Sequence, residues 1–287
     1  MTDLSGTEAL RRRLEDYGDP RRFPKWETGD VDYPANLGLS AADVPELLAI
    51  AKEWAQERDW PEDENDMSAY APVHAWRALA QLRAMEAVVL FLEMLDPLDA
   101  TGDDWYLEDF PYAFGWIGSS AVPALASYLA DDSHAVYTRV CVGHGLREVA
   151  RRCADARDEV VKALCEALTE FARNDASLNA FLVTYLLEIE ATEAAALIER
   201  AYAADRVDVA VVGNWNAVRR ELGVNGLELV PEHLARQRAW PLLGQPVQPS
   251  ASSAPMEPSS SSSGPSRKRQ RAKRKRERKN RRHNRKR

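Results

Sequence analysis

The chain has 287 residues, 45% of them hydrophobic, and its 38 Lys and Arg residues are outnumbered by 45 Asp and Glu. The last 21 residues hold 15 of the bases and one acid, so they carry a formal charge of +14, whereas residues 1–266, with 23 bases and 44 acids, carry −21. This composition argues against a membrane-spanning protein, because the longest apolar runs, such as Ala87–Leu92, fall far short of roughly 18 residues, and three cysteines do not make a disulfide framework.

The N-terminal part, residues 1–71, predicts helical and irregular structure packed on the rest of the chain. Its first residues contain no apolar signal core, and the sparse cysteines fit a reducing compartment, so we expect a cytoplasmic protein. Residues 18–39 contain three prolines and predict an irregular segment wrapped on the first helices. Ser40 and Asp43 resemble a capping box, and the apolar spacing after them predicts a helix to about Trp54.

From residue 72 onward the hydrophobic periodicity predicts helices in consecutive pairs, ending in a terminal cap before residue 240. The predicted pairs are 73–82 with 85–95, 104–117 with 121–130, 135–153 with 157–172, and 178–189 with 192–203, followed by a last helix near 214–222.

These pairs resemble copies of one another. Residues 113–125 align with residues 185–197 at an offset of 72, which is about twice a period of 36, and their apolar positions coincide. Residues 79–92 match the second pair at an offset of 34 to 35, whereas the third copy needs a short insertion. A two-helix repeat of this length is typical of an α-solenoid, in which each pair buries its apolar face against its neighbours.

The turn inside the second repeat has the expected chemistry. Gly118 can adopt the left-handed conformation that ends a helix, Ser119 or Ser120 can cap the next helix, and Pro123 falls in its first turn. A Gly-flanked Ile followed by Ala-Val-Pro-Ala-Leu resembles the HEAT-like repeats first named in phycobilisome lyases. The resemblance covers roughly residues 72–205 and implies an all-α superhelix of about four helix pairs with extra N-terminal helices.

Residues 213–224 resemble the terminal cap of an uncharacterised group of bacterial HEAT-like proteins. Some members of that group end in a small cysteine-rich zinc motif, which this sequence replaces with its arginine-rich tail. The zinc site of those proteins therefore does not carry over, and lyase chemistry does not follow from the repeats alone, because one fold serves many functions.

The C-terminal residues divide into a linker and a tail. Residues 241–266 are rich in Pro and Ser and predict a disordered linker. The tail, residues 267–287, predicts a disordered polycation, because charge repulsion opposes compaction and it has no apolar residue larger than Ala272. Its candidate phosphate-binding residues are Arg267, Lys268, Arg269, Arg271, Lys273, Arg274, Lys275, Arg276, Arg278, Lys279, Arg281, Arg282, Arg285, Lys286 and Arg287.

Nucleic acid is the partner that this tail favours, most of all RNA or ribosomes, with DNA left open. Arginine presents a planar donor fork that matches phosphate, and without interleaved aromatic residues we expect contacts with backbone phosphates and little sequence specificity. An acidic protein surface, including the body of this protein, and an anionic membrane surface remain alternatives. Phosphorylation in the five-serine run at 259–263 would add negative charge next to the tail and weaken its binding to phosphates.

Motifs for enzyme chemistry are weak in this sequence. Gly143-His144-Gly145 resembles the start of a dinucleotide fingerprint, but Glu148 stands where the third glycine belongs, so we expect a helix that is kinked, broken or closely packed there. The five histidines and three cysteines lack metal-ligand spacing, and no nucleophile elbow is present. We therefore expect no cofactor, no metal and no catalytic residue.

Two acidic clusters, at 59–66 and at 96–109, are either a solvated surface or a docking edge for a basic partner. Trp60 and Trp105 lie within them as possible contact residues, whereas Trp76 and Trp116 lie on repeat helices and are expected in the core. The predicted protein-docking residues are Trp60, Glu62, Asp63, Glu64, Asp103, Asp104 and Trp105.

These observations predict a non-enzymatic scaffold whose tail binds nucleic acid and whose helical body docks an unknown protein. Two alternatives stay open: a lyase-type enzyme acting on a protein-bound cofactor, which needs a pocket of convergent polar groups, and a binding module autoinhibited by its own tail. The sequence leaves the oligomeric state open.

Overall fold

The computed structural model describes residues 4–23, 26–55 and 67–224. This part of the chain holds thirteen α-helices and several 3-10 turns, and no strand, which confirms the predicted all-α class. The helices are α1 (Leu4–Asp16), α2 (Tyr33–Leu37), α3 (Val44–Lys52), α4 (Ala71–Gln81), α5 (Glu86–Thr101), α6 (Trp105–Ile117), α7 (Val122–Ala130), α8 (Val136–Arg152), α9 (Arg157–Thr169), α10 (Ala176–Glu188), α11 (Ala195–Ala203), α12 (Val209–Val212) and α13 (Trp215–Glu221).

The helices pack in two series. In the first series α4, α6, α8, α10 and α12 contact one another in that order, and in the second series α3, α5, α7, α9 and α11 do the same. Helices next to each other in the chain also join the two series, as α7 contacts α8 and α8 contacts α9. The apolar residues from both series form one continuous core, in which Trp76, Phe91 and Phe110 are fully buried.

The predicted caps are partly confirmed. The Ser40 backbone N–H donates to Asp43 Oδ2 at 2.8 Å and Ser40 Oγ accepts from Ala42 N at 3.3 Å, ahead of α3. Gly118 ends α6 with φ 94° and ψ −157°, which favours glycine but is not the predicted left-handed helical conformation, whereas Pro123 lies in the first turn of α7 as predicted. The predicted serine cap of α7 is wrong, because Ser119–Ala121 forms a 3-10 turn that itself binds the first N–H of the helix.

Helix α5 is longer than predicted, since it continues through Pro97 to Thr101 and ends at Gly102 with φ 71°. Proline inside a helix costs about 3 kcal/mol. The extra turn buries Leu98, which is 2% exposed, and full burial of such a side chain contributes about 1.5–3 kcal/mol. The two effects are of similar size, so burial offsets the cost of the proline.

Two glycines let α6 and α8 approach closely. A Cβ atom on Gly145 would lie 2.7 Å from Phe114 Cδ2, and one on Gly115 would lie 2.7 Å from Glu148 Cβ. Helix α8 is continuous through Gly143 and Gly145, so the close-packing interpretation is confirmed, whereas a broken helix and a dinucleotide-binding turn are both wrong.

Residues 18–23 and 26–39 form 3-10 turns and the short helix α2, as their prolines predict. The segment lies on α4 and α6, with Trp26 and Tyr33 buried beneath it. Gln81 of α4 holds it in place, because its side-chain Oε1 accepts from Tyr33 N at 2.7 Å and its Nε2 donates to Val31 O at 2.7 Å.

None of the thirteen helices is both long and apolar enough to cross a membrane.

Candidate functional site

A buried ion pair between α4 and α6 binds the N-terminal segment, residues 18–23 and 26–39, because Trp26 donates to its carboxylate and Pro20 O accepts from its guanidinium. Arg77 of α4 and Asp109 of α6 form a two-pronged contact, with Nε to Oδ2 at 2.7 Å and NH2 to Oδ1 at 2.9 Å. Burial works against the charge on Arg77, but the attraction of Asp109 keeps its pKa above the ordinary value. Two indoles, Trp26 Nε1 at 3.1 Å and Trp76 Nε1 at 2.7 Å, donate to the same carboxylate.

His74 lies in the same layer as this ion pair and is fully buried. One ring nitrogen lies 2.8 Å from Gly18 O and the other lies 3.2 Å from Tyr33 Oη. Burial lowers the pKa of His74 to about 4 and raises the pKa of Tyr33 to about 12, so both side chains are uncharged near neutral pH. Both carboxylate oxygens of Asp109 accept hydrogen bonds and the His74 imidazole is neutral near pH 7. The contacts around Arg77, Asp109 and His74 therefore stabilise the packing of α4 and α6.

The predicted docking residues at 103–105 are placed differently from one another. Asp103 is 6% exposed and accepts hydrogen bonds from Trp54 Nε1 at 3.2 Å and from Trp105 N at 2.8 Å. The Trp105 ring is half-buried and packs on the Trp54 ring at 5.8 Å between centroids. Asp104 alone is exposed, so for Asp103 and Asp109 the interpretation of this cluster as a solvated surface is wrong.

The remaining predicted site residues lie outside the described residues. They are Trp60, Glu62, Asp63 and Glu64 of the first acidic cluster and all the Lys and Arg residues of the tail, residues 267–287.

A pocket of about 250 Å³ lies between α6, α8 and α10; we call it the aromatic pocket. Its lining is apolar and aromatic apart from His144, and consists of Leu107, Tyr137, Val140, Cys141, His144, Phe181 and Tyr185. Tyr137 is 53% exposed, whereas Tyr185 is 6% exposed and donates from its hydroxyl to Val140 O at 3.2 Å. Because the Tyr185 hydroxyl is hydrogen-bonded to the backbone, Tyr185 contributes its apolar ring to the lining of the pocket.

The glycines of α8 shape this pocket. A Cβ atom on Gly143 would lie 3.0 Å from the Tyr185 ring, so the missing side chain lets α10 pack directly against α8. The His144 ring stacks on the Tyr185 ring at 5.7 Å and meets the Tyr112 ring edge-on at 5.5 Å. The Gly-His-Gly motif therefore places an imidazole between two aromatic rings.

An ion-pair network borders the pocket beside His144. Arg147 binds Glu148 at 2.9 Å and Glu188 at 2.7 Å, and one of its terminal nitrogens also contacts the His144 ring. Burial opposes the charge on Glu148, but His144 and Arg147 bring its pKa below the ordinary value. Arg151 and Arg152 also lie 3.7 and 3.9 Å from Glu148, so the acids on this side of the pocket are paired with bases.

Helix α6 and the residue before it carry two exposed acids close in sequence to Leu107 of the pocket lining. They are Asp104 and Glu108; neither lines the pocket itself, and neither forms an ion pair with a base among the described residues. Partial burial, followed by the neighbouring charges of Asp109 and Asp104, raises the pKa of Glu108. A cation placed here would meet two unpaired carboxylates.

The pocket has no activated nucleophile among its lining residues. Cys141 is 1% exposed, and burial raises its pKa, so it remains a protonated thiol near neutral pH. In the described ranges no group of three or more His, Cys, Asp or Glu side chains is arranged to hold a metal ion. The aromatic pocket therefore offers apolar and aromatic side chains for contact, and the acids Asp104 and Glu108 lie close in sequence to its Leu107.

The sequence interpretation missed the aromatic pocket, although two signals existed. Phe181 and Tyr185 are one helical turn apart and therefore share a face of α10, and Gly143 marked a close approach of another element. Their partners on α6 and α8 are far away in the chain, so only the packing of the helices brings them together.

Comparison with models of known protein families gives no match, and comparisons with curated proteins and with solved structures give none either.

Proposed function

We propose that this protein is a non-enzymatic, HEAT-like α-solenoid scaffold whose polybasic tail binds nucleic acid, in the form of RNA or ribosomes, in the cytoplasm. The observation that carries the proposal is the segregation of charge, +14 in residues 267–287 against −21 in residues 1–266. A polycation joined to an acidic body is expected to act as a separate binding arm.

The packing of the body supports the solenoid. Alternate helices contact one another in two series, and consecutive helices join the series, as expected when repeated helix pairs stack. The pairs α4–α5, α6–α7, α8–α9 and α10–α11 begin at residues 71, 105, 136 and 176, so successive pairs start 34, 31 and 40 residues apart, on average in the mid-thirties.

The chemistry of the tail supports nucleic acid as its partner. Its arginines suit phosphate, and neutralising roughly 6–10 phosphates makes the affinity fall about 10³–10⁵-fold between about 50 and 200 mM salt. The acidic body disfavours nucleic acid elsewhere on the protein, because its own charge repels phosphates.

The aromatic pocket supports a binding role for the body over a lyase-type enzyme acting on a protein-bound cofactor. Small-molecule sites typically enclose about 300–1,000 Å³ and orient the ligand with several polar groups. The aromatic pocket measures about 250 Å³ and has His144 as its single ionisable side chain besides a buried thiol and two tyrosines. It suits one or two anchoring side chains of a polypeptide better than a large cofactor.

The protein partner would bind at a docking edge formed by Asp104 and Trp105 together with Trp60, Glu62, Asp63 and Glu64. Asp104 is exposed and the Trp105 ring is partly exposed next to it. Asp103 accepts hydrogen bonds from Trp105 N and from the Trp54 indole, and these bonds fix the shape of this edge.

A binding titration with purified protein and a labelled single-stranded RNA tests the proposal. The full chain and a variant with a shuffled tail of the same composition should bind alike, since charge and not order makes the contacts. A chain ending at Ser266 should lose the binding, and the affinity of the full chain should fall steeply with salt. Equal binding by the chain ending at Ser266 would overturn the proposal.

A further inference from the structure

The aromatic pocket is an apolar surface that the described residues leave accessible, since Tyr137 at its edge is 53% exposed. Elsewhere on the first series of helices, over α4 and α6, the N-terminal segment covers the surface, with Trp26 packed edge-on against Tyr112 at 6.5 Å. The pocket begins where that cover ends, because Tyr112 also contacts His144 of the pocket lining.

The chain carries a segment that fits this pocket. Residues 240–249, WPLLGQPVQP, concentrate Trp240, two leucines, a valine and three prolines, whereas residues 250–266 are mostly serine and other small residues. Proline-containing segments bind aromatic-lined grooves well, because their restricted backbone loses little entropy on binding. We propose that residues 240–249 dock into the aromatic pocket of the same chain and thereby anchor the polybasic tail to the α6–α8–α10 surface.

The length of the chain permits this contact. The described chain ends at Val224, just after α13, and fifteen residues lie between Val224 and Trp240, which makes sixteen Cα–Cα steps. Such a length spans about 20–24 Å as a flexible chain and up to about 53 Å when extended. The path from α13 to the pocket passes α12 and α10 to α8, of which α12–α10 and α10–α8 are in contact, so three interaxial distances of about 8–10 Å amount to about 24–30 Å, well within the extended length.

The charges are complementary as well. Arg236 and Arg238 precede Trp240 by four and two residues, and the exposed acids Asp104 and Glu108 lie close in sequence to Leu107 of the pocket lining, without an ion-pair partner in the described ranges. Burial first, and then the neighbouring acids, raise the pKa of Glu108, and an arginine beside it would relieve the second of these two causes. On the opposite side Arg147 is already paired, so the basic flank of the segment has one favourable orientation.

Tethering makes even a weak contact effective. A short flexible connection gives an effective concentration of about 1 mM, so an intrinsic Kd of about 0.1 mM produces roughly tenfold protection of the pocket. Docking of residues 240–249 leaves residues 250–266 between the pocket and the tail, a length that would span about 21–25 Å as a flexible chain, so the tail would start near one defined surface.

Chemical modification of Tyr137, read by mass spectrometry, tests the docking in three chains that end at Ala239, Pro249 and Arg287. Tyr202, on α11, serves as the reference tyrosine. We expect Tyr137 to react about tenfold more slowly in the chains ending at Pro249 and Arg287 than in the chain ending at Ala239, with Tyr202 unchanged. Equal reactivity of Tyr137 in all three chains overturns the proposal.

Point variants separate the segment from chain length. Trp240→Ser should restore the reactivity of Tyr137, whereas Met256→Ser, which changes an apolar residue beyond the segment, should leave it protected. Protection that disappears on dilution would place the segment in the pocket of a second copy and overturn docking within one chain. The proposal goes beyond nucleic-acid binding and does not depend on it, because the chain ending at Pro249 lacks the tail.

Discussion

Replacing Asp109 by Asn tests whether the buried ion pair holds the N-terminal segment and the first helices together. The side chains of Arg77 and Asp109 are 7% and 5% exposed, and four N–H groups from three side chains converge on the two carboxylate oxygens. Asparagine keeps the shape but has one acceptor oxygen, so its amide N–H₂ meets other donors and Arg77 stays buried without a counter-charge.

Breaking a buried pair by removing one charge costs about 3–5 kcal/mol. For a body of this size, 1 kcal/mol shifts Tm by about 2–4 °C, so Asp109→Asn should lower Tm by roughly 6–20 °C in thermal denaturation. The matched control is Asp104→Asn, an exposed acid at the start of the same helix, which should change stability by no more than about 0.5 kcal/mol.

The partner variant Arg77→Met adds a second test. It removes the buried cation, but leaves Trp26 and Trp76 donating to the carboxylate. The double variant should therefore lose less stability than the sum of the two single variants, with a coupling of about 0.5–3 kcal/mol. Additive effects, or an Asp109→Asn variant as stable as Asp104→Asn, would refute the reasoning.

Gly145→Ala should lower the free energy of unfolding by about 1–3 kcal/mol, because its Cβ meets the fully buried Phe114 ring, whereas Gly6→Ala, with no atom within 4 Å, should not; urea titrations measure both, and equal stabilities would contradict the close packing of α6 and α8. Burial lowers the pKa of His74 in the folded protein to about 4, so acid protonates this histidine first in the unfolded protein. Between about pH 6.5 and 4 the free energy of unfolding of the wild type should therefore fall by up to about 3 kcal/mol more than that of His74→Asn. Parallel pH profiles of the two unfolding free energies would contradict this. Cys141 should react with a thiol reagent more slowly than Cys153 and Cys165, because it is buried and its pKa is raised. Peptide mapping gives the order of reaction. Rapid reaction of Cys141 would show that the reagent reaches it through the aromatic pocket. Replacing all five serines at 259–263 by Asp should weaken RNA binding by the tail in the same titration that tests the proposed function, since it adds five negative charges nearby; unchanged affinity would show that the linker charge does not reach the bound phosphates.

Much of the fold could be predicted from hydrophobic periodicity alone. The predicted helices at 104–117 and 121–130 match α6 and α7 closely, because each has one apolar stripe and a turn of Gly and Pro between them. The end of α5 was predicted six residues early, since the burial of Leu98 that carries the helix past Pro97 depends on the packing of other helices.

The candidate sites were less predictable for a physical reason. In the sequence, Asp103 and Asp109 look like members of a solvated acidic loop, yet both are buried by indoles and an arginine from other helices. A sequence reveals the charge of a side chain, but the groups that surround it depend on the tertiary fold. The aromatic pocket was missed for the same reason, because its lining combines residues from 107 to 185.

The most direct test of the central claim is recovery of nucleic acid from cell lysate by the full chain and by a chain ending at Ser266, with and without nuclease, at about 50 and 200 mM salt. The account predicts that RNA is recovered with the full chain at low salt only, that nuclease removes it, and that the shorter chain keeps the same Tm without retaining RNA. Equal recovery of RNA by both chains would contradict the claim that the tail is the nucleic-acid-binding arm.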